Sequence, residues 1–108
     1  MLLQLARTTE PRGFRLVGEI DLSNVSTLSQ ALAHEIEIGG DLTLDLAGLV
    51  FMDSTGIQVI IQTARQLEGR GRLILLEPGE LVRRTLERVR LGQLSNVEII
   101  QDAQDDRD

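Results

Sequence analysis

The sequence has no cysteine, no lysine, no tryptophan and no tyrosine. Without cysteine there are no disulfides, no thiol catalysis and no thiolate-ligated metals. Without lysine there is no Schiff-base chemistry and no phosphate-binding loop of the lysine type. Histidine occurs once, at His34, which rules out a multi-histidine zinc site. Phe14 and Phe51 are the only aromatic residues, 2% of the chain, too few for a base-stacking platform. No apolar run approaches the ~20 residues that a membrane helix needs. The start, Met1 to Leu5, is too short and too polar downstream for a secretory signal. Positive charge is in deficit: 11 basic residues, all arginine, against 17 acidic ones leave a net charge of -6. That balance argues against non-specific binding to nucleic acid or to an anionic membrane surface.

What is present is an ordinary globular composition, with 42% hydrophobic and 26% charged residues in 108. This length supports one domain, expected over residues 1–100, followed by an acidic tail over 101–108 that should fray. A cytoplasmic location, no cofactor and no metal are expected. Periodicity switches repeatedly along the chain. Leu2 to Arg7 reads as a strand, and Glu10-Pro11-Arg12-Gly13 as a turn. Phe14, Leu16, Gly18 and Ile20 alternate with Arg15, Val17, Glu19 and Asp21, a half-buried strand. Ser23 reads as the N-cap of a helix carrying Val25, Leu28, Leu32 and Ile36. Gly39-Gly40 stops that helix, and Leu42, Leu44 and Leu46 start another alternating strand. Gly48 breaks the alternation, and Leu49 to Met52 leads into a helix from Asp53 or Ser54 with Ile57, Ile60, Ile61, Ala64 and Leu67 on one stripe. Leu73 to Leu76 is a continuous apolar strand, Leu81, Val82, Leu86 and Val89 mark a third helix, and Val97 to Ile100 a last strand. The order β-β-α-β-α-β-α-β implies an α/β fold with a mixed, mainly parallel sheet of four or five strands. Strands with one polar face place the helices mainly on the other.

Few residues can carry chemistry. His34 lies off the apolar stripe of its helix, where a solvated surface side chain is the commoner outcome. No Gly-x-Ser-x-Gly elbow surrounds Ser54, and there is no glycine-rich nucleotide fingerprint. Arg83, Arg84, Arg88 and Arg90 crowd the third helix. Glu80 and Glu87 stand four residues from Arg84 and Arg83, which reads as a solvated face with weak pairs. Asp53-Ser54-Thr55-Gly56 is different, because an apolar strand runs straight into it and a helix follows. Taken alone it could be helix capping. A second acidic cluster, Gly18 to Ser23, also ends a strand and opens a helix. In a parallel sheet both loops share the carboxyl-end rim, where open α/β sheets put their sites.

Gly18-Glu19-Ile20-Asp21, Leu42-Thr43-Leu44-Asp45-Leu46 and Phe51-Met52-Asp53-Ser54-Thr55-Gly56 resemble the STAS domain, and within it the stand-alone bacterial anti-sigma-factor antagonists. The likeness covers about residues 10–100. It implies a switch rather than an enzyme, with Ser54 as phosphoacceptor. Asp21, Ser23, Asp53, Thr55 and Gly56 would supply its surroundings and the partner surface. The implied partners are an anti-sigma factor that is also an ATP-dependent serine kinase, and a metal-dependent phosphatase acting on the phosphoserine. Only the unphosphorylated form would capture the anti-sigma factor and free the sigma factor. Nucleic acid and membrane are not expected as partners, and the protein should be a monomer or weak dimer. The chain departs from the family pattern at Gln58, where many members have a second glycine, and in its polar stretch from Gln101 in place of a terminal amphipathic helix. Two alternatives keep Ser54 in view: a constitutive STAS accessory subunit of a transporter or signalling complex, and a hydrolase with Ser54 as nucleophile.

Overall fold

The computed structural model describes residues 2–101. Strand β1 (Leu3–Thr9) and strand β2 (Arg12–Ile20) form an antiparallel hairpin. Helix α1 (Val25–Ile38), strand β3 (Leu42–Met52), helix α2 (Ser54–Leu67), strand β4 (Leu73–Leu76), helix α3 (Glu80–Arg88) and strand β5 (Val97–Ile100) follow, with a short 3-10 turn at Leu91–Gln93. The sheet is five-stranded in the order β1-β2-β3-β4-β5, and every pair after the hairpin is parallel. This is the mixed, mainly parallel α/β sheet that the alternation implied.

Strand order equals chain order, so successive right-handed crossovers put α1, α2 and α3 on one side. Burial follows suit. Leu16, Ile20, Leu44, Leu46, Leu73 and Leu75 are fully buried, whereas Arg15 and Val17 on the reverse face are exposed. Each such leucine or isoleucine contributes ~1.5–3 kcal/mol against full exposure.

Two expectations are corrected here. Residues 42–52 form one strand, not a strand followed by a separate apolar approach. Gly48 marks an irregularity within it: Arg15 pairs with Asp45 but Val17 pairs with Gly48, so β3 carries an extra residue. A second shift follows, Gly18 facing Leu49 and Glu19 facing Phe51. The other correction concerns α1. Its N-cap is Asn24, without a side-chain cap bond, while the Ser23 hydroxyl is taken by Asp21 at 2.6 Å.

One buried ion cluster ties the hairpin to α1. Glu35 is 1% exposed. It accepts from Arg7 Nη1 and Arg12 Nη1, both at 2.5 Å. Arg12 also donates to the carbonyls of Gly39 and Asp41 at the end of α1. The Arg7 hydrogen bond, outweighing the desolvation that opposes it, holds the Glu35 carboxyl below its ordinary range, with Arg12 adding to the effect. The acidic tail expected over 101–108 lies outside the described residues except for Gln101, whose amide donates to the Pro78 carbonyl.

Candidate functional site

The site begins where β3 ends. β4 pairs with β3 only as far as Asp45, so residues 46–52 outrun it, and α3 packs against β3. At Met52 the strand stops and Asp53 takes an extended conformation (φ -90°, ψ -172°) as the N-cap of α2. Its Oδ1 accepts from Thr55 N at 2.9 Å, from the Thr55 hydroxyl at 2.5 Å and from Gly56 N at 3.4 Å. These bonds satisfy donors that the first helical turn leaves orphaned. Asp53 N donates to the Ile20 carbonyl at 3.1 Å, and the amide of Leu22 bonds the Asp53 carboxylate. One residue thus joins the β3–α2 junction to the β2–α1 loop. The Thr55 hydroxyl bond is the largest cause that keeps the Asp53 carboxyl below its usual range, against partial burial and with help from the three backbone amides.

Glycine chemistry fixes the approach of these loops. Gly18 has φ +109°, and a Cβ there would lie 2.0 Å from the Leu2 carbonyl oxygen. A Cβ on Gly56 would lie 2.6 Å from Met52 Cγ and 2.8 Å from Ile20 Cγ2. Gly56 is therefore what lets the first turn of α2 sit down on the ends of β2 and β3.

Each expected site residue can now be placed. Ser54 is exposed and is the first residue of α2, and among the described residues its hydroxyl has no hydrogen-bond partner. Thr55 is half-buried with its hydroxyl bound to Asp53, and Gly56 is buried. Asp21 is half-buried at the start of the adjoining loop, where its Oδ1 accepts from Ser23 N at 3.0 Å as well as from the exposed Ser23 hydroxyl. The geometry therefore brings Asp53, Thr55 and Gly56 to Ser54 and sets the Asp21–Ser23 turn beside them. It does not bring His34, which is exposed nine residues into α1, about 14 Å along the axis at 1.5 Å per residue. Among the described residues no cluster of His, Asp and Glu could hold a metal ion. No helix described is long and apolar enough to cross a membrane.

The arginines of α3 behave partly as expected. Arg84 pairs with Glu80 at 2.8 Å and Arg83 with Glu87 at 3.1 Å. What sequence reasoning missed is the cleft beside Ser54, about 440 Å³, lined on one side by Phe51, Ser54 and Ile57 and on the other by Leu81, Arg84, Arg88 and Val89. In the sequence Leu81, Val82, Leu86 and Val89 only marked a third helix. Val82 and Leu86 are buried, but Leu81 is 55% exposed and Val89 41%. Spacing alone does not separate them: Val89 stands only ~20° round the helix from Val82 at 3.6 residues per turn, and it is the C-cap that follows the last residue of α3.

A hydroxyl in this setting can accept a group but has no base of its own to activate it. The Asp53 carboxylate is already engaged by four donors.

The STAS domain family model matches residues 3–105, and the chain belongs to that family. Its relatives are anti-sigma factor antagonists. An anti-sigma F factor antagonist of Lysinibacillus sphaericus is 35% identical over 88 residues, 79% of this chain and 75% of that protein. Among solved structures, the anti-sigma factor antagonist SpoIIAA in its unphosphorylated form aligns with a TM-score of 0.70 and 27% identity, covering 93% of this chain and 88% of that one. The Bacillus cell fate determinant SpoIIAA in its phosphorylated form aligns with a TM-score of 0.68 and 25% identity, covering 96% of each chain.

Proposed function

We propose that this protein is a phospho-regulated binding switch. In its unmodified form it binds an anti-sigma factor that is also a serine kinase, and so releases a sigma factor. Phosphorylation of Ser54 ends that binding, and a phosphoserine phosphatase restores it. On this reading the protein is a regulator and not an enzyme. Asp21, Ser23, Asp53, Thr55 and Gly56 form the surface around the switch. The observation that carries the reading is the division between neighbours: Asp53 and Thr55 spend their polar groups on the helix start, while Ser54 beside them is exposed with its hydroxyl unspent. The likeness to a relative known in both unphosphorylated and phosphorylated forms supports it. So does the cost at an interface. A like-charge pair ~6 Å apart at an effective dielectric of 20 repels by ~3 kcal/mol. That weakens docking ~100-fold or more. The accessory-subunit reading gains nothing from an unspent, accessible hydroxyl.

The test is mass spectrometry after incubation with the cognate kinase and ATP, with one phosphate expected on Ser54 and none in Ser54→Ala. Phosphate incorporated into Ser54→Ala at unchanged yield refutes the site. Ser54→Asp should keep its fold and lose the partner. Undiminished binding by that variant would favour a constitutive subunit.

A further inference from the structure

The cleft beside Ser54 has a polarity that the proposed switch leaves unused. The chain is acidic overall, with a net charge of -6, yet the α3 wall of this cleft carries Arg84 and Arg88. Arg88 is exposed and has no ion pair among the described residues. Arg84 is held only by Glu80, in a pair whose side chains are 62% and 66% exposed. Exposed pairs of this kind are easily exchanged for a better partner. The facing wall carries the Ser54 hydroxyl at the first position of α2.

We propose that Arg84 and Arg88 are the receptor for a phosphoryl group on Ser54, so that the modified serine is drawn across the cleft to α3. This rests on Ser54 being the phosphoacceptor. A phosphoserine carries about -1.5 to -2 charge at neutral pH and three acceptor oxygens. Guanidinium is the side chain whose paired donors match those oxygens, and it stays charged at any working pH. On the near side the phosphate meets Asp53, whose carboxylate is fully engaged and repels it. It is pushed from its own loop and pulled toward α3. A phosphate so placed fills the mouth of the cleft and covers Phe51, Leu81 and Val89, the apolar surface exposed in the unmodified protein. Modification then removes a docking surface as well as adding a charge.

The experiment uses the full chain with phosphoserine installed at position 54 during synthesis, so that no kinase is needed. Phosphorus NMR follows its second ionisation. In the otherwise unaltered protein the second pKa should lie about one unit below that of the Arg84→Gln, Arg88→Gln double variant. Arg88→Gln alone, which frees no carboxylate, should recover about half of that difference. Arg83→Gln changes net charge equally but does not line the cleft, and should shift the pKa by no more than ~0.2. Asp53 and Asp21 on the near side, and Glu80 and Glu87 on α3, act on the phosphate in each protein, and the Arg88→Gln comparison cancels them. All three arginines are at least partly exposed, so the variants should fold, which circular dichroism checks. Equal pKa values in the unaltered and double-variant proteins overturn the receptor. So would an equal shift from Arg83→Gln. A kinase assay that leaves Ser54 unmodified would sink the switch reading while leaving the receptor result standing, and the reverse also holds.

Discussion

Replacing Asp53 by alanine isolates what the helix start is worth. The substitution deletes the acceptor for the amides of Leu22, Thr55 and Gly56 and for the Thr55 hydroxyl. Loss of an N-cap costs ~0.5–2 kcal/mol, and hydrogen bonds to a charged acceptor lie at the upper end of the scale. The carboxylate is only half-buried, so water recovers part of the loss. About 2 kcal/mol is expected for Asp53→Ala, and about half of that for Asp53→Asn, which keeps a carbonyl oxygen but no charge. For a chain of this size that is a melting-temperature drop of ~10 °C for the alanine variant. The pH dependence gives a second reading. The Asp53 carboxyl titrates below its ordinary range in the folded protein. Its contribution is therefore fully present above the unfolded pKa and disappears as pH falls through the folded one. Urea unfolding of wild type and Asp53→Ala should show the full gap at pH 7 and a shrinking gap in acid. Glu35 titrates in both proteins and cancels in the difference. A gap under ~0.5 kcal/mol at pH 7, or one that stays constant into acid, refutes the assignment of Asp53 as the tie between the two loops.

Three further outcomes follow from the same contacts. Glu35→Gln leaves two guanidiniums around a buried neutral amide; because Arg7 is 55% exposed and can rehydrate, the loss should be ~2–3 kcal/mol rather than the full cost of breaking a buried pair, read by urea unfolding at pH 7. Gly56→Ala drives a methyl into Met52 and Ile20 and should cost ~1–3 kcal/mol, with stability unchanged if the first turn of α2 does not sit where described. His34→Ala should leave stability within ~0.5 kcal/mol and partner capture untouched, and a loss of capture would give the histidine a role that its exposed position does not suggest.

The sheet was legible because its signals are local and redundant. Alternation in 14–20 and 42–46, a helical stripe at 57, 60, 64 and 67, and glycines at the breaks each pointed to one element, and all pointed to the same fold. What stayed hidden depends on pairing between distant segments. The full length of β3 was obscured because Gly48 breaks the two-residue period, and only its register against β2 shows an irregular strand and not an end. Glu35 sits seven residues after Leu28, on the buried side of α1, but nothing in the sequence says that Arg7 and Arg12 arrive from a hairpin 23 or more residues away to neutralise it. The capping role of Ser23 failed for a different reason. Asp21 competes for the same hydroxyl and closes a tight turn first. The chemistry around Ser54 was legible in its residues, and the cleft was not, because its second wall comes from α3.

If Ser54 is the phosphoacceptor proposed above, the order Asp53-Ser54 would let the switch work without unfolding its own platform. Had the modified hydroxyl been the cap, phosphorylation would strip the helix start of its acceptor geometry. Here the cap is the residue before it, and the bond that secures the cap comes from the residue after it, Thr55. A phosphate at the first helical position gains ~0.3–1 kcal/mol from the helix dipole. Repulsion from the Asp53 carboxylate takes back a similar amount, because that charge is already shared among its donors. At the helix start itself these two effects would nearly cancel, and any pull from Arg84 and Arg88 would only add to stability, so the modification should not loosen the fold. A docked partner has no such compensation on its own side, so nearly the whole electrostatic cost falls on the complex. A modified chain that melts within a few degrees of the unmodified one while losing its partner ~100-fold would bear out that division; a chain destabilised in proportion to its loss of binding would show that the phosphate acts by loosening α2 instead.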